Sequence, residues 1–126
     1  MKRRDFLKAA GVGLIASTAA ASAMAQSQVT FLVAHGAWSA GWSWKKMHPL
    51  MSAAGHRLIT PTYTGLGERE HLASPSNDLE THIQDVLAVI KYEDLHNVVL
   101  IGHSYGGMVA TAVADSARAN YAADLS

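Results

Sequence analysis

The apolar positions of this chain come in short bursts separated by turn residues, and the spacing inside each burst changes in a regular order. Val29-Thr30-Phe31-Leu32-Val33-Ala34 is a β-rich run ending at His35-Gly36, which reads as a buried strand. From Trp42 to Ala54 the period is helical, with Trp44, Met47, Leu50 and Met51 on one face and Gly55 as the stop. His56-Arg57-Leu58-Ile59-Thr60 predicts a second strand ended by Pro61, and the Gly-, Pro- and charge-rich stretch from Tyr63 to Pro75 predicts a loop. Asn77 to Lys91 carries the strongest helical signal. Leu79, Ile83, Val86, Leu87 and Ile90 form its stripe, Asn77 is placed to cap it, and Glu80 to complete a capping box. Val98-Val99-Leu100-Ile101 is a fully apolar strand, and Tyr105 to about Ala119 an Ala-rich helix. Strands alternating with helices predict an α/β fold, a parallel sheet with helices on both faces and right-handed crossovers.

The first 25 residues stand apart from that alternation. A basic start, Met1 to Lys8, is followed by the apolar stretch Ala9 to Ala23 and by Ala21-Ser22-Ala23 and Ala23-Met24-Ala25. This is the order of a secretory signal. Arg3-Arg4 followed by Phe6-Leu7-Lys8 resembles the twin-arginine signal, which the twin-arginine export machinery reads. The apolar stretch is short and small-sided beside the roughly 20 residues of a membrane span. No stable span is therefore expected after cleavage; an N-terminal amphipathic helix or a retained anchor is the alternative. Cleavage after Ala25 predicts a bacterial periplasmic or secreted product, residues 26–126, forming one partial domain.

Composition narrows the partners. The whole chain has ten basic and ten acidic residues, but without residues 1–25 six basic and nine acidic remain, a net charge of −3. That argues against nucleic acid, which calls for a clustered basic face. The absence of cysteine excludes a disulfide framework, thiolate catalysis and a cysteine zinc site. No pair of histidines has convincing metal-ligand spacing with a carboxylate, so no metal site is expected.

The chemistry centres on Gly102-His103-Ser104-Tyr105-Gly106, set between an apolar strand and a helix of small residues. A Gly-x-Ser-x-Gly pentapeptide in that context is a nucleophile elbow, in which a strained turn lifts the serine hydroxyl out of the sheet. Gly102 and Gly106 are needed where strand and helix pass too close for a Cβ, and Gly107 is expected to help. Ser104 would attack a carbonyl carbon while the N–H of Tyr105 binds the oxyanion, each such donor supplying about 3 kcal/mol. His35-Gly36-Ala37, just past the first strand, is the natural source of a second donor, with Gly36 giving backbone freedom and Ala37 the N–H. The competing reading of the pentapeptide is a Gly-Ser turn without chemistry.

Four segments carry a resemblance: Leu32 to Trp38, Gly41-Trp42-Ser43-Trp44, Ala54-Gly55-His56-Arg57, and Ile101 to Met108. They resemble the α/β-hydrolase superfamily, and within it the small esterase branch of plant methylesterases and the related hydroxynitrile lyases. The likeness runs from about Val29 to about Ala114 and covers the N-terminal half of the family's domain. It implies Ser104 as nucleophile, Ala37 and Tyr105 as oxyanion donors, and His35, Gly36, Gly102, His103 and Gly106 as supporting framework. It also implies a small-molecule carboxylic ester as substrate, an acyl-enzyme, and no cofactor. Lyases of this branch tend to carry threonine where Gly36 stands, so Gly36 favours ester hydrolysis.

The family would continue into a sixth strand, a cap, a catalytic Asp and a late catalytic His. From Ala117 to Tyr121 the pattern begins to be lost, so the chain is expected to be a truncated form with little activity. A hydroxynitrile lyase-like enzyme and a non-catalytic binding module derived from a hydrolase are the alternatives. Of the seven histidines, His35 and His103 flank the site as framework. His48, His56, His71, His82 and His96 precede the serine on helices or loops, and the resemblance places the base on a later loop. Trp38, Trp42 and Trp44 divide between helix packing and the pocket rim, with packing favoured. Glu68, Arg69 and Glu70 read as a solvated loop face.

Overall fold

The computed structural model describes residues 27–124, and side chains as far as Asn120; the proposed signal therefore lies outside the described residues. Its sheet has three parallel strands in the order β2-β1-β3, with β1 (Thr30–Ala34) between β2 (Arg57–Ile59) and β3 (Val98–Gly102). Thr30 pairs with Arg57 and with Val98, and Leu32 with Ile59 and with Leu100. In-register parallel partners share a face. Leu32 and Ala34, both fully buried, pack with Ile83 and Val86 of α2 (Leu79–Tyr92) and Val109 and Val113 of α3 (Gly106–Asp124), and this is the core. Helix α1 (Met47–Ala53) packs against β2. Right-handed crossovers put α1 on one face and α2 with α3 on the other, because β1→β2 and β2→β3 step in opposite directions.

Several elements differ from the pattern-based expectation. The helix expected over 42–54 is a 3-10 turn (Gly41–Trp44) followed by the short α1, with Pro49 at its third position. Met47 and Leu50, expected on its buried face, are exposed. The helix does stop at Gly55, which takes φ +81. The N–H groups of Gly55 and His56 then satisfy the carbonyls of Ser52 and Met51 at 3.0 and 2.9 Å. Helix α2 is capped one residue later than expected. Asp78 Oδ1 accepts the Thr81 N–H at 3.0 Å and Thr81 Oγ1 accepts the Asp78 N–H at 3.2 Å. Asn77 instead donates to the Leu72 carbonyl at 2.8 Å.

The α1 face of the sheet is thinly covered. Val99 is 44% exposed despite its place in an all-apolar strand. Among the described residues no helix is long and apolar enough to cross a membrane. The reversal of direction makes the C-terminal ends of β1 and β3 a topological switch point, the place where open α/β sheets form their crevice.

Candidate active site

Both sequence motifs end at that switch point, and they touch. The His103 N–H donates to the Ala34 carbonyl at 3.1 Å, extending the β1–β3 ladder into the elbow. Ser104 follows with φ 55, in the left-handed region. Asp94 and Asn97 share that conformation, but their short polar side chains suit it; a serine there is held by its surroundings. The hold comes from the first turn of α3, where Gly106 and Gly107 donate to the carbonyls of His103 and Ser104 at 2.8 and 2.9 Å.

Close packing explains three of the glycines. A Cβ on Gly102 would lie 2.8 Å from the Gly106 carbonyl oxygen, and one on Gly106 would overlap the carbonyl of Ala34. Gly107 is different: nothing lies within 4 Å of its would-be Cβ, so the helix needs no glycine there for packing. Nor does Gly36 serve through conformational freedom, since it is not among the residues with positive φ. Its role is spatial, because a Cβ there would sit 3.2 Å from His103 Nδ1.

Past β1 the chain makes a tight turn closed by the Ser39 N–H on the Gly36 carbonyl at 3.2 Å, with Ala37 and Trp38 at its centre. Within the described residues no hydrogen bond engages the N–H of Ala37 or of Tyr105. Two uncommitted amides thus lie just past the C-terminal ends of the neighbouring strands β1 and β3. His35, fully buried, braces the turn: its Nδ1–H donates to the Gly36 carbonyl at 2.7 Å and its Nε2 accepts the Tyr63 N–H at 3.1 Å. Burial holds its pKa below the ordinary histidine value, which keeps Nε2 free to accept.

The loop after β2 organises the rest, and little in the sequence advertises it. The Tyr63 ring is stacked between His35 and His82, with centroids 3.9 and 4.8 Å away, and Tyr105 stands edge-on to both Tyr63 and His82. His82 Nε2 lies 3.2 Å from the Thr64 carbonyl and must donate to it, which leaves Nδ1 of the neutral ring to accept the Tyr105 hydroxyl at 2.7 Å. Burial, with Asp78 adding to it, pushes the Tyr105 phenol up, so its proton stays on. Thr64 donates its N–H and its hydroxyl to Asp85 at 2.6 and 2.7 Å. Arg69 lies 3.7 Å from Asp85 and donates to the Thr62 carbonyl at 2.8 Å.

The Thr62 hydroxyl accepts from the Gly41 N–H at 2.9 Å and donates to Glu68 at 2.6 Å. That bond is the main reason the Glu68 carboxyl is held below the usual range. Glu68 and Glu70 are exposed, as expected of a solvated loop face, but Glu68 and Arg69 are also hydrogen-bonded back into the loop. The signal available beforehand was weak: His82 and Asp85, one helical turn apart, are polar residues beside the apolar stripe of α2.

Ser104 is exposed, and no histidine or carboxylate among the described residues hydrogen-bonds its hydroxyl. His35 and His82 are committed as above; His48, His56 and His96 bond Thr60, the Val29 N–H and Asp94. Trp38 is fully exposed beside the Ala37 turn, and Trp42 is 59% exposed, so neither packs the helix as expected.

The sequence profile of the alpha/beta hydrolase family matches residues 31–125. The chain belongs to that family. It is 53% identical over 85 residues to a carbendazim hydrolyzing esterase of Nocardioides sp. (strain SG-4G), covering 68% of this chain and 35% of that protein. It is 34% identical over 82 residues to salicylic acid-binding protein 2 of Nicotiana tabacum, covering 62% of this chain and 30% of that one. Among solved structures, an extracellular alpha/beta-hydrolase from a Paenibacillus species superposes with a TM-score of 0.64 at 31% identity. That match covers 70% of this chain and 35% of the other. These relatives put the hydrolase chain in an esterase-like branch, and it spans about a third of their length.

Proposed function

We propose that this hydrolase chain carries the nucleophile portion of a serine esterase that cleaves carboxylic esters through an acyl-enzyme. The observation that carries the reading is Ser104, held at φ 55 at the switch point with two uncommitted amides just past the ends of β1 and β3. Ser104 Oγ attacks the ester carbonyl carbon and gives up its proton, which goes to the departing alkoxide. The carbonyl electrons move onto oxygen, which accepts hydrogen bonds from the N–H groups of Ala37 and Tyr105. Collapse of the tetrahedral species expels the alcohol, and water releases the acid.

No described histidine reaches Ser104, so we propose little turnover by these 126 residues alone, since losing triad members costs several orders of magnitude. Export remains our reading of residues 1–25, supported by the extracellular neighbour, and the twin-arginine route by Arg3-Arg4 followed by Phe6-Leu7-Lys8.

The test is a chimera in which residues 27–124 replace the matching segment of the carbendazim hydrolyzing esterase. The chimera should hydrolyse p-nitrophenyl acetate, and Ser104→Ala should lower kcat by about 10³-fold or more. A chimera that keeps its rate in Ser104→Ala overturns the assignment. A rate above buffer by the 126-residue chain itself, lost in Ser104→Ala, overturns only the low turnover.

A further inference from the structure

We propose that His82 is a positioning residue for the oxyanion site, fixing Tyr105 and the elbow to the same dipeptide that fixes the Ala37 turn. The inference rests on the reading of Tyr105 and Ala37 as oxyanion donors and adds the element that sets one relative to the other. The geometry is reciprocal. Tyr63 gives its N–H to His35, which braces the turn bearing Ala37 through the Gly36 carbonyl. The next residue, Thr64, takes the Nε2–H of His82, which receives the Tyr105 hydroxyl. Consecutive residues of one loop are thereby bonded to two histidines, and each histidine holds one donor segment.

The stack of His35, Tyr63 and His82 fills the space between the two arms. His82 is only 9% exposed, and both ring nitrogens are used. A residue serving only as packing on the α2 face would not need two hydrogen bonds directed to opposite sides. Asp85, one turn along α2, secures the arrangement by taking both donors of Thr64, so the loop cannot shift without breaking bonds to that helix. His82 touches no reacting atom; it acts through Tyr105.

The experiment uses the 126-residue chain and phenylboronic acid, whose boron bonds to Ser104 Oγ, the proton going to solvent, to give a tetrahedral anion. Boron NMR reads the affinity without requiring turnover. His82→Phe, which keeps a ring but neither bond, and Tyr105→Phe, which removes only the hydroxyl, should each weaken the adduct about tenfold, the worth of one hydrogen bond. His82→Gln, with one donor and one acceptor, should recover most of that loss.

Amide exchange of Gly106 and Gly107 is followed in parallel, with Leu32 and Val33 of β1 as controls. In His82→Phe and Tyr105→Phe the elbow amides should exchange about tenfold faster while the controls are unchanged. Wild-type affinity in both Phe variants, or faster exchange at all four amides alike, overturns the positioning role. If the wild-type chain forms no adduct, the oxyanion reading fails, and the exchange data alone decide whether His82 holds the elbow: unchanged Gly106 and Gly107 rates then overturn it.

Discussion

Replacing Ser104 by glycine should stabilise the chain relative to replacing it by alanine, although both remove the same hydroxyl. Ser104 sits at φ 55, where any residue with a Cβ crowds its own carbonyl. That conformation costs roughly 1–2 kcal/mol for a non-glycine residue, whereas glycine loses roughly 0.5–1 kcal/mol more chain entropy on folding. The difference leaves Ser104→Gly more stable than Ser104→Ala by about 0.5–1 kcal/mol. No partner is orphaned in either variant, because the hydroxyl is exposed and makes no hydrogen bond among the described residues. Urea unfolding followed by circular dichroism resolves the gap: with a slope of about 1.5 kcal/mol per molar, the midpoints should differ by roughly 0.3–0.7 M. Coincident midpoints, or a more stable alanine variant, would show that the elbow stores no strain.

The neighbouring glycines supply a paired prediction. Gly106→Ala drives a methyl into the Ala34 carbonyl and should cost about 3 kcal/mol or more, while Gly107→Ala meets nothing and should be neutral or gain up to about 1 kcal/mol. Equal thermal shifts for the two variants would refute that contrast. Acidity supplies another. His35 is held below its ordinary value of 6.5 by burial, so the unfolded chain binds the proton more readily. Its contribution is full above that value and declines as pH falls below it. Urea midpoints measured between pH 8 and 5.5, above the range where Glu68 titrates, should fall toward acid in the wild type and less steeply in His35→Gln. Parallel slopes would remove His35 as the cause.

What the sequence made legible was whatever neighbouring residues decide among themselves. The run Thr30–Ala34, the stripe of α2 and the elbow around Ser104 each encode backbone geometry in contiguous positions, and all three form where expected, save that Leu79 at the start of the stripe is exposed. The cap of α2 was misplaced by one residue because Asn77 and Asp78 are both competent caps, and the choice fell to Thr81, whose hydroxyl closes the box. Over Gly41–Ala53 a helical period of Trp, Met and Leu suggested a buried face, yet α1 covers only the β2 end of the sheet and leaves Leu50 and Trp42 in water. The bracing of the site was hidden for a different reason. His35, Tyr63, Thr64, His82 and Tyr105 lie on four separate segments, and only the reversal in the order of the parallel strands brings them together.

That reversal also orders the assembly of the molecule in time. β1 is synthesised first yet ends in the middle, so both strands that pair with Thr30, through Arg57 and through Val98, are made after it. A two-stranded ribbon of β1 and β2 has little stability by itself, and closing the longer loop is the slower search. The strand that seals the sheet is the one that leads into Ser104. The nucleophile's strained turn therefore depends on the strand that is synthesised last of the three, and a nascent chain shorter than Gly102 has neither.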